Sequence, residues 1–267
     1  MLNQDYHVHS QFSPDSESTL NDICQRAVEL GLAEIVVTDH YDMAEGFSAL
    51  CSTRNHYLEL CGTIIEECRE RWKDQLYLGF GIEIGQPHIQ PEATRNILNH
   101  NPFDFVLASF HRVEHQDLYL YDYSQTDCDR LRESYVNGLI QIAKNEEYDC
   151  LAHLDLIKRY AGFQGLSLRM EECGEALEMI LKCVIERGRG IEVNTSGLYN
   201  CLREPLPSLG ILKLYRQLGG EIITVGSDAH RLQDIAGRFA EAEEIIKAAG
   251  FRYISRFHQR KCSFVKI

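Results

Sequence analysis

The chain begins with DYHVH at positions 5–9, and Asp15 follows shortly after. In an extended strand, residues two apart share a face. His7 and His9 would then project side by side, with a carboxylate just beyond. Imidazoles beside carboxylates form the donor set of a metal centre. The same types recur: Asp39 and His40 in VVTDH, Glu83 in FGIEIG, His111 in LASFH, His153 and Asp155 in CLAHLD, and Asp228 and His230 in TVGSDAH. Each group lies at or near the end of a short apolar run, and such runs read as buried strands. Six of the eleven histidines thus stand at carboxyl ends of expected strands, where parallel α/β folds build their sites. Such groups are costly to bury unpaired, and a polynuclear metal centre would satisfy them together. Imidazole and carboxylate without thiolate suit Zn²⁺, Fe²⁺ or Mn²⁺; Ca²⁺ or Mg²⁺ alone would not call for so many imidazoles. His56, His88, His100, His115 and His258 fall outside the pattern and are expected to be exposed or locally bonded.

The elements that must position these residues are legible as alternating patterns. Strand-like runs lie at 4–9, 34–39, 76–84, 103–110, 148–154, 189–194 and 221–227. Helical stripes lie at 20–30, 55–72, 129–144 and 172–187, at 209–218 and over a long last stretch, 232–249. Ser18 or Thr19 can cap the first stripe and Gly31 can end it; Ser208 can cap the fifth, closed by Gly219 and Gly220. Strands alternating with helices imply βαβ units and a parallel sheet, closed into a barrel or open and doubly wound. No G-x-G-x-x-G or G-x-x-x-x-G-K-[ST] occurs to favour a nucleotide-binding open sheet.

Composition narrows the class. A length of 267 residues suits one large domain, and 44% hydrophobic with 25% charged residues is ordinary for a soluble globular protein. No apolar run approaches the roughly 18 residues of a membrane span, and no basic-then-apolar leader is visible. A cytoplasmic location without a membrane partner is therefore expected. The ten cysteines are scattered with no C-x-x-C pair, as reduced core residues would be. A net charge of −13 argues against a nucleic-acid partner, because phosphate backbones need a basic footprint.

In order along the chain, HVH at 7–9, TDH at 38–40, GIE at 81–83, SFH at 109–111, AHLD at 152–155 and GSDAH at 226–230 resemble the PHP family, named for its polymerase and histidinol-phosphatase members. HVHSQFSPDS, NTSG at 194–197 and the domain length are most similar to the histidinol-phosphate phosphatase branch. The resemblance implies one domain over 1–267, a distorted (β/α)7 barrel with three divalent ions (Zn, Mn or Fe). The implied activity is hydrolysis of a small-molecule phosphate ester, L-histidinol phosphate first, by a hydroxide bridging the ions. Carried over residue by residue, it implies His7, His9, Glu83 and Asp228 around one ion. Glu83 would bridge to a second ion with His111 and His153, and Asp15, His40 and His230 would hold the third. Some relatives have histidine near the place of Asp15. Asp39 is expected to orient His40 or His7.

Asp228 and His230, two residues apart, could also move protons. Arg159, after AHLDLIK, is the first candidate to bind phosphate and Arg203 the second. Asp42, just past TDH, is positioned by sequence to receive an imidazole or ammonium of the substrate. The alternatives are another phosphoesterase of the family, an amidohydrolase-type metal hydrolase, or a non-catalytic metal-binding or regulatory subunit. Amidohydrolases often carry a carboxylated lysine at a site strand; the matching strand ends here offer Glu83, His111 and His153.

Overall fold

A computed structural model describes residues 2–43, 48–199 and 202–267. Seven parallel strands form one sheet in sequential order: β1 (Gln4–Val8), β2 (Glu34–Val37), β3 (Tyr77–Gly85), β4 (Phe105–Ser109), β5 (Cys150–Leu151), β6 (Gly190–Asn194) and β7 (Ile223–Gly226). The sheet curls into a nearly closed barrel. At the seam, Val8 and Ala229 form a parallel bridge, Asp228 N–H donates to the His7 carbonyl at 2.8 Å, and His9 N–H donates to the Ala229 carbonyl at 2.9 Å. All seven expected strands are present. All but β3 are shorter than their apolar runs, because the last residues of most runs leave the ladder to build the rim.

The connecting helices are α1 (Leu20–Glu29), α2 (Ser48–Trp72), α3 (Pro91–His100), α4 (Cys128–Asn145), α5 (Ile157–Phe163), α6 (Glu175–Glu186), α7 (Leu209–Gln217) and α8 (Phe239–Ala248). Local chemistry sets their ends. Thr19 Oγ1 accepts from Asp22 N–H, and Ser208 Oγ accepts from Ile211 N–H, each satisfying one orphan donor of a first turn. Leu20, Ile23, Cys24 and Ala27 form the buried stripe of α1. The expected long helix over 232–249 is broken: a 3-10 turn covers Leu232–Asp234, and α8 begins only at Phe239, after Ala236 and Arg238 adopt positive φ. Helices α3 and α5 lie where no stripe was assigned; each is short and places few apolar residues on its buried face.

Along the strands, apolar residues such as Ile35, Ile82, Val106, Ile191 and Val225 pack outward under the helices. The barrel interior takes Tyr6, Val36, Phe105, Leu107 and Cys150. A register shift between Asp5 and Val8 in β1 lets Tyr6 face this interior while the neighbouring His7 faces the carboxyl-end rim. The opposite end is plugged by an antiparallel hairpin, β8 (Tyr253–His258) and β9 (Lys261–Lys266), absent from the sequence expectation. Its Phe257 packs 5.1 Å from the Phe105 ring, and its backbone N–H donates to Tyr6 Oη at 2.7 Å. Among the described residues, the hairpin thus covers the amino end of the barrel interior.

Asp5 staples the seam. Its carboxylate accepts from Ser227 N–H at 2.9 Å, Ser227 Oγ–H at 2.6 Å and Ala236 N–H at 2.9 Å. Burial still pushes its carboxyl from 3.8 up to about 6, against the pull of those bonds. Because the folded value is raised, the contribution to stability is present below the unfolded value and is lost as pH rises through about 6. The stability advantage of the wild type over Asp5→Asn should shrink between about pH 4 and 6, read from paired urea denaturations. A gap independent of pH would contradict the assignment.

Candidate metal centre

Glu83, in the middle of the carboxyl half of β3, is fully buried and faces five imidazoles. Its Oε2 lies 3.4 Å from His7 Nε2, 3.7 Å from His9 Nε2 and 2.6 Å from His40 Nδ1. Its Oε1 lies 3.2 Å from His111 Nε2 and 3.0 Å from His153 Nε2, and accepts from Ser109 Oγ–H. Asp228, after β7, brings Oδ1 to 3.6 Å from His7 Nε2 and 3.4 Å from His9 Nε2. Asp15 Oδ2 sits 3.5 Å from His40 Nε2 and 3.2 Å from His230 Nε2. All nine residues assigned as ligands from the sequence thus converge on one rim. Their donors form overlapping triads within 4.8 Å, among them His7–His9–Asp228, His40–Glu83–His111 and His9–His40–His230.

Several of these atoms have no hydrogen-bond partner. His7 Nε2, His9 Nε2, His40 Nδ1 and Glu83 Oε2 are all buried without one. His40 Nδ1 and Glu83 Oε2 are 2.6 Å apart but not in hydrogen-bonding geometry. Buried orphans are rare in folded proteins, and cations between the donors would satisfy all four. The donor chemistry, imidazole with carboxylate, fits borderline divalent metals.

The electrostatics agree. Burial would raise Glu83 and Asp228, but the surrounding imidazoles, and Arg159 beside Asp228, outweigh it and hold both well below the usual carboxylate range. Burial, then the neighbouring His40 and His230, drives His9 down to about 3, so its Nε2 keeps a free lone pair. Burial would lower His7 too, yet Glu192, Glu83 and Asp228 raise it well above the ordinary histidine range. A proton on His7 occupies the place a divalent cation would take, and metal binding displaces such protons.

A surrounding set of residues, mostly unassigned from the sequence, aims the imidazoles. Glu192 on β6 lies 2.6 Å from His7 Nδ1, and its other oxygen accepts from His153 N–H at 2.8 Å. Gly226 makes room for it: a Cβ there would fall 2.3 Å from both Glu192 Oε1 and His7 Cβ. The only sequence signal was a charged residue in an otherwise apolar strand, RGIEVN. Asp39 was expected to orient His40 or His7. Instead it accepts from Ser10 N–H, Ser10 Oγ–H and Ser13 Oγ–H, each at 2.7 Å, and Ser13 Oγ meets His9 Nδ1 at 3.1 Å. The turn between β1 and α1 folds over Asp39, so its reach goes to His9 through Ser13.

The centre opens into a cavity of about 320 Å³ whose wall includes Asp15, His40, His111, Tyr119, Arg159 and Asp228. The short hairpin Arg112–Val113/Gln116–Asp117 leads into Leu118 and Tyr119 at its edge. Arg159 Nη2 lies 3.3 Å from Asp228 Oδ2, and its Nε is buried with no hydrogen-bond partner. One expectation changes: Arg203 is exposed and does not line the cavity; its backbone has a φ of 53°. Asp42 does line it, and also lies 3.2 Å from His111 Nδ1, where it supports the imidazole. Gly85 permits this, since a Cβ there would fall 1.8 Å from Asp42 Oδ1.

The PHP domain family model matches residues 5–196. The chain belongs to the PHP family. Among similar proteins, the histidinol-phosphatase of Lactococcus lactis is 28% identical over 98% of this chain and 96% of its own length. The probable histidinol-phosphatase of Thermotoga maritima is 28% identical over 94% of each. The crystal structure of histidinol phosphate phosphatase from Lactococcus lactis, complexed with zinc, L-histidinol and phosphate, superposes with a TM-score of 0.82 at 27% identity, covering 98% of this chain and 100% of that one. Asp228 and His230 lie beyond the family match, and the barrel seam is what returns them to the PHP motifs.

Glu192→Gln should weaken metal binding by about 10- to 100-fold, because an amide neither neutralises His7 nor accepts its N–H as strongly. Zinc titration of metal-stripped protein measures this; unchanged affinity would remove Glu192 from the support of His7.

Proposed function

We propose that this PHP protein hydrolyses L-histidinol phosphate to L-histidinol and inorganic phosphate, with three divalent ions, zinc among them. The observation that carries this reading is spatial: nine donors gather at one rim, and six of them (Asp15, His40, His111, His153, Asp228 and His230) line a cavity together with Arg159, whose Nε has no hydrogen-bond partner. The full-length similarity to a phosphatase crystallised with zinc, L-histidinol and phosphate supports the substrate and the metal.

In this reading His7, His9, Glu83 and Asp228 hold one ion, and Glu83 with His111 and His153 a second. Asp15, His40 and His230 hold the third. Such ions supply a strong nucleophile from water at neutral pH and neutralise charge on the phosphoryl oxygens. The protein groups do the rest. Arg159 directs guanidinium N–H groups at the phosphoryl oxygens, a bidentate match a point charge cannot offer. Asp228 turns Oδ1 to the imidazoles and Oδ2 to Arg159, so one ionised carboxylate serves the donor set and the phosphate-binding cation together. It adopts a φ of 57°, a left-handed conformation that aspartate tolerates better than most residues. His230 Nδ1 lies 2.9 Å from the Asp228 carbonyl, so with Nδ1–H donating there, Nε2 is free to face Asp15. Leu118, Tyr119 and Tyr160 line the cavity beyond the metal centre, in position to shield the ester from bulk water.

Hydrolysis of L-histidinol phosphate should be lost after chelation and return with Zn²⁺ or Mn²⁺, followed by phosphate release against a panel of other phosphate esters. Full activity in the chelated protein would contradict the metal mechanism, and preference for another ester would reassign the substrate. Arg159→Met should raise KM for the ester by about 10- to 100-fold, and a KM equal to wild type would move phosphate binding elsewhere.

A further inference from the structure

Strand β6 sends no ligand to the metal centre, yet its inner face is polar. Glu192 and Asn194, two apart on the strand, point the same way, and Ser196 follows in the 3-10 turn Thr195–Leu198. The three side chains make one continuous line of hydrogen bonds. Glu192 Oε1 meets His7 Nδ1 at 2.6 Å. Asn194 Nδ2 donates to Glu192 Oε2 at 3.2 Å. Asn194 Oδ1 accepts from Ser196 Oγ–H and, at 3.1 Å, from Ser196 N–H. Ser196 Oγ in turn accepts from Arg159 Nη2–H.

The Glu192 carboxylate only accepts, so Asn194 must present its amide nitrogen to it and its oxygen to Ser196. The Ser196 hydroxyl has one proton, within reach of Asn194 Oδ1 and, at 3.4 Å, of Asp228 Oδ2; given to either, it leaves a lone pair for the Arg159 guanidinium. Asp228 Oδ2, 3.3 Å from the same Nη2, supplies the second anchor. One end of the guanidinium is thereby fixed, while Nε stays unpaired beside the cavity.

We infer that Ser196, held by Asn194, is the positioning residue that aims the Arg159 guanidinium at the phosphoryl group of the substrate. The line of bonds ties the arginine to His7 through Glu192, so the phosphate-binding cation and the metal centre share one rigid support. This rests on the assignment of Arg159 to phosphate. Without Ser196, the guanidinium loses its neutral anchor and is free to collapse onto Asp228.

The test is a double-mutant cycle with Ser196→Ala and Arg159→Met, read by KM for L-histidinol phosphate, inhibition by inorganic phosphate, and zinc content. Ser196→Ala should raise KM and weaken phosphate inhibition together by about tenfold, with zinc content unchanged. Ser196→Thr, which keeps the hydroxyl, should restore most of the loss. Ser196→Cys, similar in size but a weak acceptor, should behave like Ser196→Ala and serves if the alanine variant folds poorly. In the Arg159→Met background Ser196→Ala should have no further effect, because its action runs through the arginine. Additive losses, lost zinc in Ser196→Ala, or unchanged phosphate inhibition would each overturn the inference. If Arg159→Met itself leaves phosphate inhibition intact, the phosphate assignment fails and the role of Ser196 fails with it; if only Ser196→Ala is silent, the assignment of Arg159 stands.

Discussion

One buried carboxylate constrains the rest of the rim. Glu83 has no solvent exposure and is ringed by His7, His9, His40, His111 and His153 at 2.6 to 3.7 Å. An ionised carboxylate without water is expensive unless positive charge meets it on all sides. Imidazoles alone answer only if protonated, and burial, with His40 and His230 beside it, pushes the His9 imidazole down to about 3. Divalent cations would remove the conflict: carboxylates would stay ionised, imidazoles neutral, and the orphaned donors would gain partners.

The barrel serves this constraint by dividing its ends. Tyr6, Phe105 and the hairpin residue Phe257 make one end apolar and sealed. Polar donors gather at the other, above an apolar interior. The register shift in β1 is the hinge of this division, since it lets Tyr6 serve the sealed end while His7 serves the open one. Glycines accommodate what the rim crowds in: Gly226 beneath Glu192 and His7, and Gly85 beneath Asp42 and His111.

Around the donors, each of three imidazoles has its own carboxylate behind it. Glu192 supports His7 directly, Asp42 supports His111 directly, and Asp39 supports His9 through Ser13. Such partners set tautomer and ring orientation. With the aiming of imidazoles assigned to one layer and ion binding to another, the donor set is preorganised before any ligand arrives.

The sequence by itself determined the alternation of strand and helix, a cap at Ser18 or Thr19 and another at Ser208, and the histidines and carboxylates at strand ends. These are local properties: side-chain period, turn chemistry and residue type. The PHP motifs added their order. Tertiary structure alone decided which groups face one another. Glu192 lies 185 residues from His7, and nothing near either announces the other. Asp42 and Arg203 sat in equally plausible places along the chain, but the tertiary structure brought Asp42 to the cavity beside His111 and left Arg203 exposed. The broken stretch before α8 and the plugging hairpin were hidden for a similar reason: positive-φ turns and an edge ribbon are stabilised by the barrel they close, not by their own sequence.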